Sequence, residues 1–148
     1  MAKLKLAVIV GSNRRESINR KLAQALAKLG ESAFDATFVQ IDDLPMFNQD
    51  LEPNRPESTL RLKREIEAAD AILIVTPEHN RSIPAVLKNA IDWASRPYGK
   101  NSWAGKTVAV TGTSGGAVGT AVSQNELRMI LTNLAGVVVG SQVFVTFK

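Results

Sequence analysis

Five short runs rich in aliphatic residues, Leu6–Val10, Ala36–Ile41, Ala71–Val75, Thr107–Thr111 and Val137–Phe147, alternate with segments whose apolar residues recur at helical spacing. A strand that feeds a helix returns to a parallel neighbour, so this alternation selects an α/β fold with a parallel sheet. Leu6–Val10 is continuously apolar, as a central strand covered on both faces must be. From Ile18 the period changes: Ile18, Leu22, Ala25, Leu26 and Leu29 share one helical face, and Gly30 supplies the stop. Leu62, Ile66 and Ala69 mark a second helix over 57–69. Leu87, Ala90, Ile91 and Ala94 mark a third, with Pro84 expected at its first helical position. Leu127, Ile130, Leu131 and Leu134 form the stripe of a fourth helix, ended by Gly136.

Right-handed crossovers place such helices on both faces of the sheet. Of the common doubly wound arrangements, five strands suit the flavodoxin-like order 2-1-3-4-5. The last strand is expected to bend at Gly140-Ser141. No fifth helix is legible after it, with only Lys148 following, so a further segment or another subunit is expected to cover part of one face. The 148 residues suit one domain with one core, spanning residues 1–148. The loop Asp42–Pro56 carries three prolines and the apolar Leu44, Met46 and Phe47. It has two readings: contact with a ligand or subunit, or a loop folded onto its own core.

Composition removes several chemistries. There is no cysteine, which excludes disulfides, thiolate catalysis and cysteine-bound metals. The single histidine, His79, argues against a protein-built zinc site, and no metal is expected. No apolar run approaches the roughly 20 residues that span a bilayer. Lys3 and Lys5 precede an apolar stretch too short for a signal peptide, so a cytoplasmic protein without membrane attachment is expected. The net charge is +4, but the basic residues are scattered rather than clustered with aromatics. Nucleic-acid binding is therefore not expected, and attraction for a small phosphorylated ligand accounts for the charge equally well.

In this topology the C-terminal ends of strands one, three and four converge on one rim, and their loops are polar. Gly11–Asn19 reads as a phosphate cradle: Gly11 permits a sharp turn, Ser12 and Ser17 offer hydroxyls, and Arg14 offers a forked cation. The loop opens onto a helix N-terminus, where free N–H groups favour an anion. The alternative is that Ser17 or Asn19 merely caps the helix. In Thr76–Pro84, Glu78, His79, Asn80 and Ser82 form a polar turn between a buried strand and a helix. Gly112–Gly119 is a glycine-rich turn at the third strand end.

The pattern of Gly11, Ser12, Arg14, Ser17 and Asn19 resembles the phosphate loop of the NADPH-dependent FMN reductase family, which includes bacterial quinone and chromate reductases. Thr76, Pro77, Glu78, Asn80, Ser82, Pro84 and the run Leu87–Trp93 resemble that family's flavin segment, and Gly112–Gly116 resembles its third loop. The resemblance implies an FMN-dependent NAD(P)H oxidoreductase. Reduced nicotinamide would deliver hydride to bound FMN, and a small acceptor such as a quinone, chromate, an azo compound or free flavin would take the electrons in a second step. It implies that Ser12, Arg14, Ser17, Ile18 and Asn19 hold the phosphate. Pro77, Glu78, His79 and Asn80 would line the isoalloxazine, largely through backbone groups, with Ser114, Gly115 and Gly116 at its other edge. Asp92, Ile91 and Trp93 read as structural. His79 stands where the family usually has tyrosine, and an ionisable ring there can modulate selectivity although no protein residue need be catalytic. A homodimer or homotetramer is implied, with the fourth helix and the Asp42–Pro56 loop as interface elements. Two rival readings are a flavodoxin-type carrier, against which the basic charge argues, and a flavin-free scaffold.

Overall fold

The computed structural model describes residues 1–147, and Lys148 lies outside the described residues. Strand β1 (Leu4–Val10) leads to helix α1 (Ile18–Leu29), then β2 (Phe34–Phe38), a short 3-10 helix (Gln49–Asn54), α2 (Glu57–Ala68) and β3 (Ala71–Val75). Helix α3 (Ala85–Ala94), β4 (Thr107–Ser114), α4 (Ala121–Asn133), β5 (Val137–Val138) and β6 (Phe144–Thr146) follow. The strands are parallel in the order β2-β1-β3-β4-β5, with β6 paired to the far end of β4. This is the flavodoxin-like order expected from the alternation.

The strand alternation of side chains divides the core. Ala7 and Ile9 of β1, Ile72 and Ile74 of β3, and Val108 and Val110 of β4 face α2, α3 and α4. Val8, Val10 and Val75 face the opposite way, onto Ala23, Leu22 and Leu26 of α1. Among the described residues no helix follows β6. No helix is long and apolar enough to cross a membrane.

Several boundaries differ from the sequence reading, each for a physical reason. Strand β2 starts at Phe34 and ends at Phe38; Val39 N makes the last bond to β1, to the Val8 carbonyl at 2.9 Å, and Val39 and Ile41 bury their side chains in the main core. Pro84 is the residue before α3, in an extended conformation, rather than its first helical residue. The Asp42–Pro56 loop folds onto its own core. Leu44, Phe47 and Leu51 pack there, and the Pro45 carbonyl accepts hydrogen bonds from Trp93 Nε1 (2.7 Å) and Asn89 Nδ2 (3.0 Å). The Arg55 guanidinium covers the Trp93 ring at 5.3 Å, and Met46 remains outside.

The last strand is not one strand. Arg128 donates from Nη1 to the Val139 carbonyl and from Nη2 to the Ser141 carbonyl, both at 2.7 Å. Gln124 Nε2 and Thr111 Oγ1 both donate to the Val143 carbonyl. Side chains thus take carbonyls that a continuous strand would give to a ladder, and Ser141 turns at φ 65°. Pairing resumes at Phe144, which extends β4 to Ser114 and draws Gly112 into the sheet.

Candidate functional site

The sheet brings the three polar loops together. Val10, Val75 and Thr111 are in register across β1, β3 and β4; Gly11 and Thr76 leave the sheet side by side, while β4 runs on through Gly112 to Ser114 beside them. Gly11 N donates to the Val75 carbonyl and Thr76 N to the Thr111 carbonyl, both at 2.9 Å. Gly112 is required here for space: a Cβ would collide with the Thr76 carbonyl oxygen and the Thr120 hydroxyl. The glycine that read as the first of a glycine-rich turn is a point of close packing.

In the first loop, Ser17 is buried and its Oγ caps α1 by accepting from Arg20 N at 3.3 Å. Ser12 Oγ accepts from Arg14 N at 3.2 Å, while the Arg14 side chain is exposed. Ile18 is half-buried at the first turn of α1. Asn19 is buried and committed. Its Oδ1 accepts from Thr113 N and its Nδ2 donates to the Thr113 carbonyl, both at 2.9 Å, so it ties the loop to the end of β4. Among the described residues, the N–H groups of Ser12, Asn13, Arg15 and Glu16 have no protein acceptor. Free donors beside the start of a twelve-residue helix make a site that fits a phosphate.

The second loop is a tight turn. His79 N donates to the Ser82 carbonyl (3.0 Å) and Ser82 N to the His79 carbonyl (2.9 Å), with Asn80 at φ 52° and Arg81 at φ 62° between them. His79, Asn80 and Arg81 are exposed. The Glu78 carboxylate reaches the start of α4, and its Oε1 lies 3.4 Å from Arg81 Nη1. Its Oε2 accepts from Val122 N (3.0 Å) and Ser123 N (3.2 Å), filling the place of a side-chain cap at the start of α4. The Pro77 carbonyl accepts from Ser123 Oγ at 3.0 Å and from Thr76 Oγ1 at 2.8 Å. The Pro77 carbonyl and the His79 N–H and carbonyl are thus committed within the protein, and the backbone N–H groups of Glu78 and Asn80 have no protein acceptor among the described residues.

In the third loop, Ser114 Oγ donates to the Gly119 carbonyl (2.7 Å) and accepts from Gly116 N (3.2 Å). Gly115 and Gly116 are exposed, and only a carbonyl oxygen 4.0 Å away and a hydroxyl 3.6 Å away would approach a Cβ there. The Thr113 hydroxyl is buried at the same junction without a partner among the described residues. Sequence reasoning did not single out Thr113, Ser123 or Glu126. Their roles depend on partners between 44 and 94 residues away, which no local spacing signals.

A parallel sheet of flavodoxin-like order, with three loops gathered on one rim, defines the class: a doubly wound α/β protein. The family model for NADPH-dependent FMN reductase matches residues 4–148. The chain is 53% identical over 131 residues to a 2-hydroxy-1,4-benzoquinone reductase of a Burkholderia species, covering 88% of this chain and 72% of that protein. It is 49% identical over 130 residues to a quinone reductase of Pseudomonas putida, covering 87% and 70%. Among solved structures, the flavoenzyme NAD(P)H:(acceptor) oxidoreductase FerB from Paracoccus denitrificans superposes with a TM-score of 0.90 at 50% identity, covering 93% of this chain and 75% of that one. The chain belongs to the NADPH-dependent FMN reductase family and is an FMN-dependent NAD(P)H oxidoreductase.

Proposed function

We propose that residues 1–148 act as one FMN-binding domain that takes electrons from reduced nicotinamide and delivers them to a quinone-type acceptor in the cytoplasm. FMN supplies the two-electron exchange; the residues of this chain bind it, orient it and leave one face open. The observation that carries the reading is the set of unpaired N–H groups over Ser12–Glu16 at the start of α1, beside two loops tied to it through Asn19 and Thr113. Arg14 supplies charge to the phosphate, and Ser17 fixes the helix start that faces it. Glu78 and Asn80 offer backbone N–H groups to the ring system, and Pro77 and His79 line it beside them. Ser114, Gly115 and Gly116 form the other edge, where the absence of side chains admits a flat ligand. His79 and Arg81 lie exposed at the open side, placed to meet the nicotinamide cosubstrate or the acceptor.

The named relatives that reduce quinones, at 53% and 49% identity, support a quinone as acceptor. An assembly of two or four copies is part of the proposal, with α4 and the 42–56 loop at the interface; the exposed Met46, Val122 and Met129 support it. The test is anaerobic mixing of the flavin-loaded protein with NADH and NADPH, followed optically, then addition of a benzoquinone. Bleaching of the flavin bands by one nicotinamide and their return on adding quinone is the expected result, with parallel double-reciprocal lines in steady state. Flavin that stays oxidised under both nicotinamides would instead mark an electron carrier.

A further inference from the structure

The His79–Ser82 turn is an expensive one to hold. Both central residues, Asn80 and Arg81, sit in the left-handed region, where a side chain like arginine's costs about 1 kcal/mol or more. Its two cross-turn hydrogen bonds close it on itself but do not fix where it stands relative to the rim. That anchoring comes from one helix. Glu78 fastens the entry of the turn to the first turn of α4. At the exit, Glu126 of α4 accepts at a single oxygen, Oε2, from Ser82 Oγ at 2.6 Å and from Ile83 N at 3.2 Å. Segment 78–83 is thus stapled at both ends to α4 by carboxylates contributed from opposite sides, one by the loop and one by the helix.

We propose that Glu126 is a positioning residue for the flavin-facing turn, an assignment that rests on the FMN site described above. Glu126 does not itself belong to any of the three rim loops. It acts by orienting Ser82 and the Ile83 amide, and through them the carbonyls and amides of His79 and Asn80. Its donors are one hydroxyl and one amide, and it forms no ion pair among the described residues. A neutral acceptor of the same shape therefore meets the same need: the amide oxygen of glutamine can accept both bonds. An alanine can accept neither and leaves the half-buried Ser82 hydroxyl and the buried Ile83 amide without their partner.

The experiment compares the wild type with Glu126→Ala, Glu126→Gln and Ser82→Ala by amide hydrogen exchange on the flavin-free protein and by fluorescence titration with FMN. In Glu126→Ala, exchange at Ser82 and Ile83 rises while amides in the middle of α4 keep their protection, and the FMN dissociation constant rises about tenfold or more, the size of losing a hydrogen bond to a charged acceptor. Glu126→Gln brings both readouts back to within about threefold of wild type, and Ser82→Ala, which removes one of the two bonds and leaves α4 intact, falls between. Unchanged exchange at Ile83 in Glu126→Ala overturns the assignment, as does faster exchange with unaltered FMN affinity. A glutamine variant as impaired as the alanine variant also overturns it, because charge rather than bond geometry would then be at work. If the wild type takes up no FMN, the cofactor reading fails, and the exchange arm still reports separately whether Glu126 holds the turn.

Discussion

The two faces of the sheet are built unequally. On one, α2, α3 and α4 bury twenty apolar residues in a continuous cluster, among the described residues, that includes Trp93 and Trp103. On the other, α1 and the sheet bury four. Beside α1 the sheet also carries two apolar clefts of about 300 and 260 Å³, both lined by Leu26, Leu73, Ala109 and Val139. The heavy face holds the fold and, through α4, fixes the second loop with Glu78, Ser123 and Glu126. The light face presents the first loop, whose N–H groups are left for a ligand. Rigidity and binding capacity therefore lie on opposite sides of one sheet, and Asn19 links them.

The largest effects should separate the two faces directly. Leu127, fully buried in the heavy face, should lose about 3–4 kcal/mol on Leu127→Ala by urea denaturation. Leu73→Ala, at a half-buried residue bordering both clefts, should cost about 1 kcal/mol, because less contact is lost and the void joins existing space. Equal losses would show that the faces contribute alike. Next in size is the link between them. Asn19→Leu strands the buried Thr113 N–H and carbonyl, so a cost of about 2 kcal/mol is expected together with weaker FMN binding. Loss of stability with FMN affinity unchanged would show that the link does not transmit position to the cradle.

The smallest effect concerns the packed 42–56 loop. The Arg96 guanidinium hydrogen-bonds Glu52 and holds its carboxyl below the usual range, outweighing the upward push of burial. A lowered folded-state value adds stability that is fully present above the unfolded pKa and is lost as pH falls through the folded one. The stability gap between wild type and Glu52→Gln should therefore be flat near neutrality and close in acid. A gap that persists in acid would assign the effect to packing instead.

Much of this was legible in the residues. The alternation of apolar runs and helical stripes carries the topology, because a strand buried on both faces must be continuously apolar and each crossover must return in one hand. Gly11, Ser12 and Arg14 suggest an anion site by their chemistry and their place before a helix, whereas Ser17 suits a phosphate or a helix cap, and in the structure its Oγ caps α1. Asn19 shows the limit. Its residue type suits either a phosphate or a backbone pair, and only the neighbour 94 residues away decides which its amide serves. Glu78 reads as a rim residue in the chain and is a helix cap in space. The break in the last strand was legible as a bend at Gly140-Ser141, but its cause, the forked hold of Arg128 on two carbonyls, was not.

By itself, then, the sequence determined the class of fold, the rim on which the loops gather and the kind of ligand they suit, since periodicity and residue chemistry act over short stretches of chain. Only the tertiary structure decided which polar groups remain free for that ligand and which are consumed in holding the loops. Those allocations are set by hydrogen bonds between residues far apart in sequence: Asn19 with Thr113, Glu78 with Ser123, Ser82 with Glu126. A buried polar group must find a partner, and where the partner stands is a property of the packed molecule.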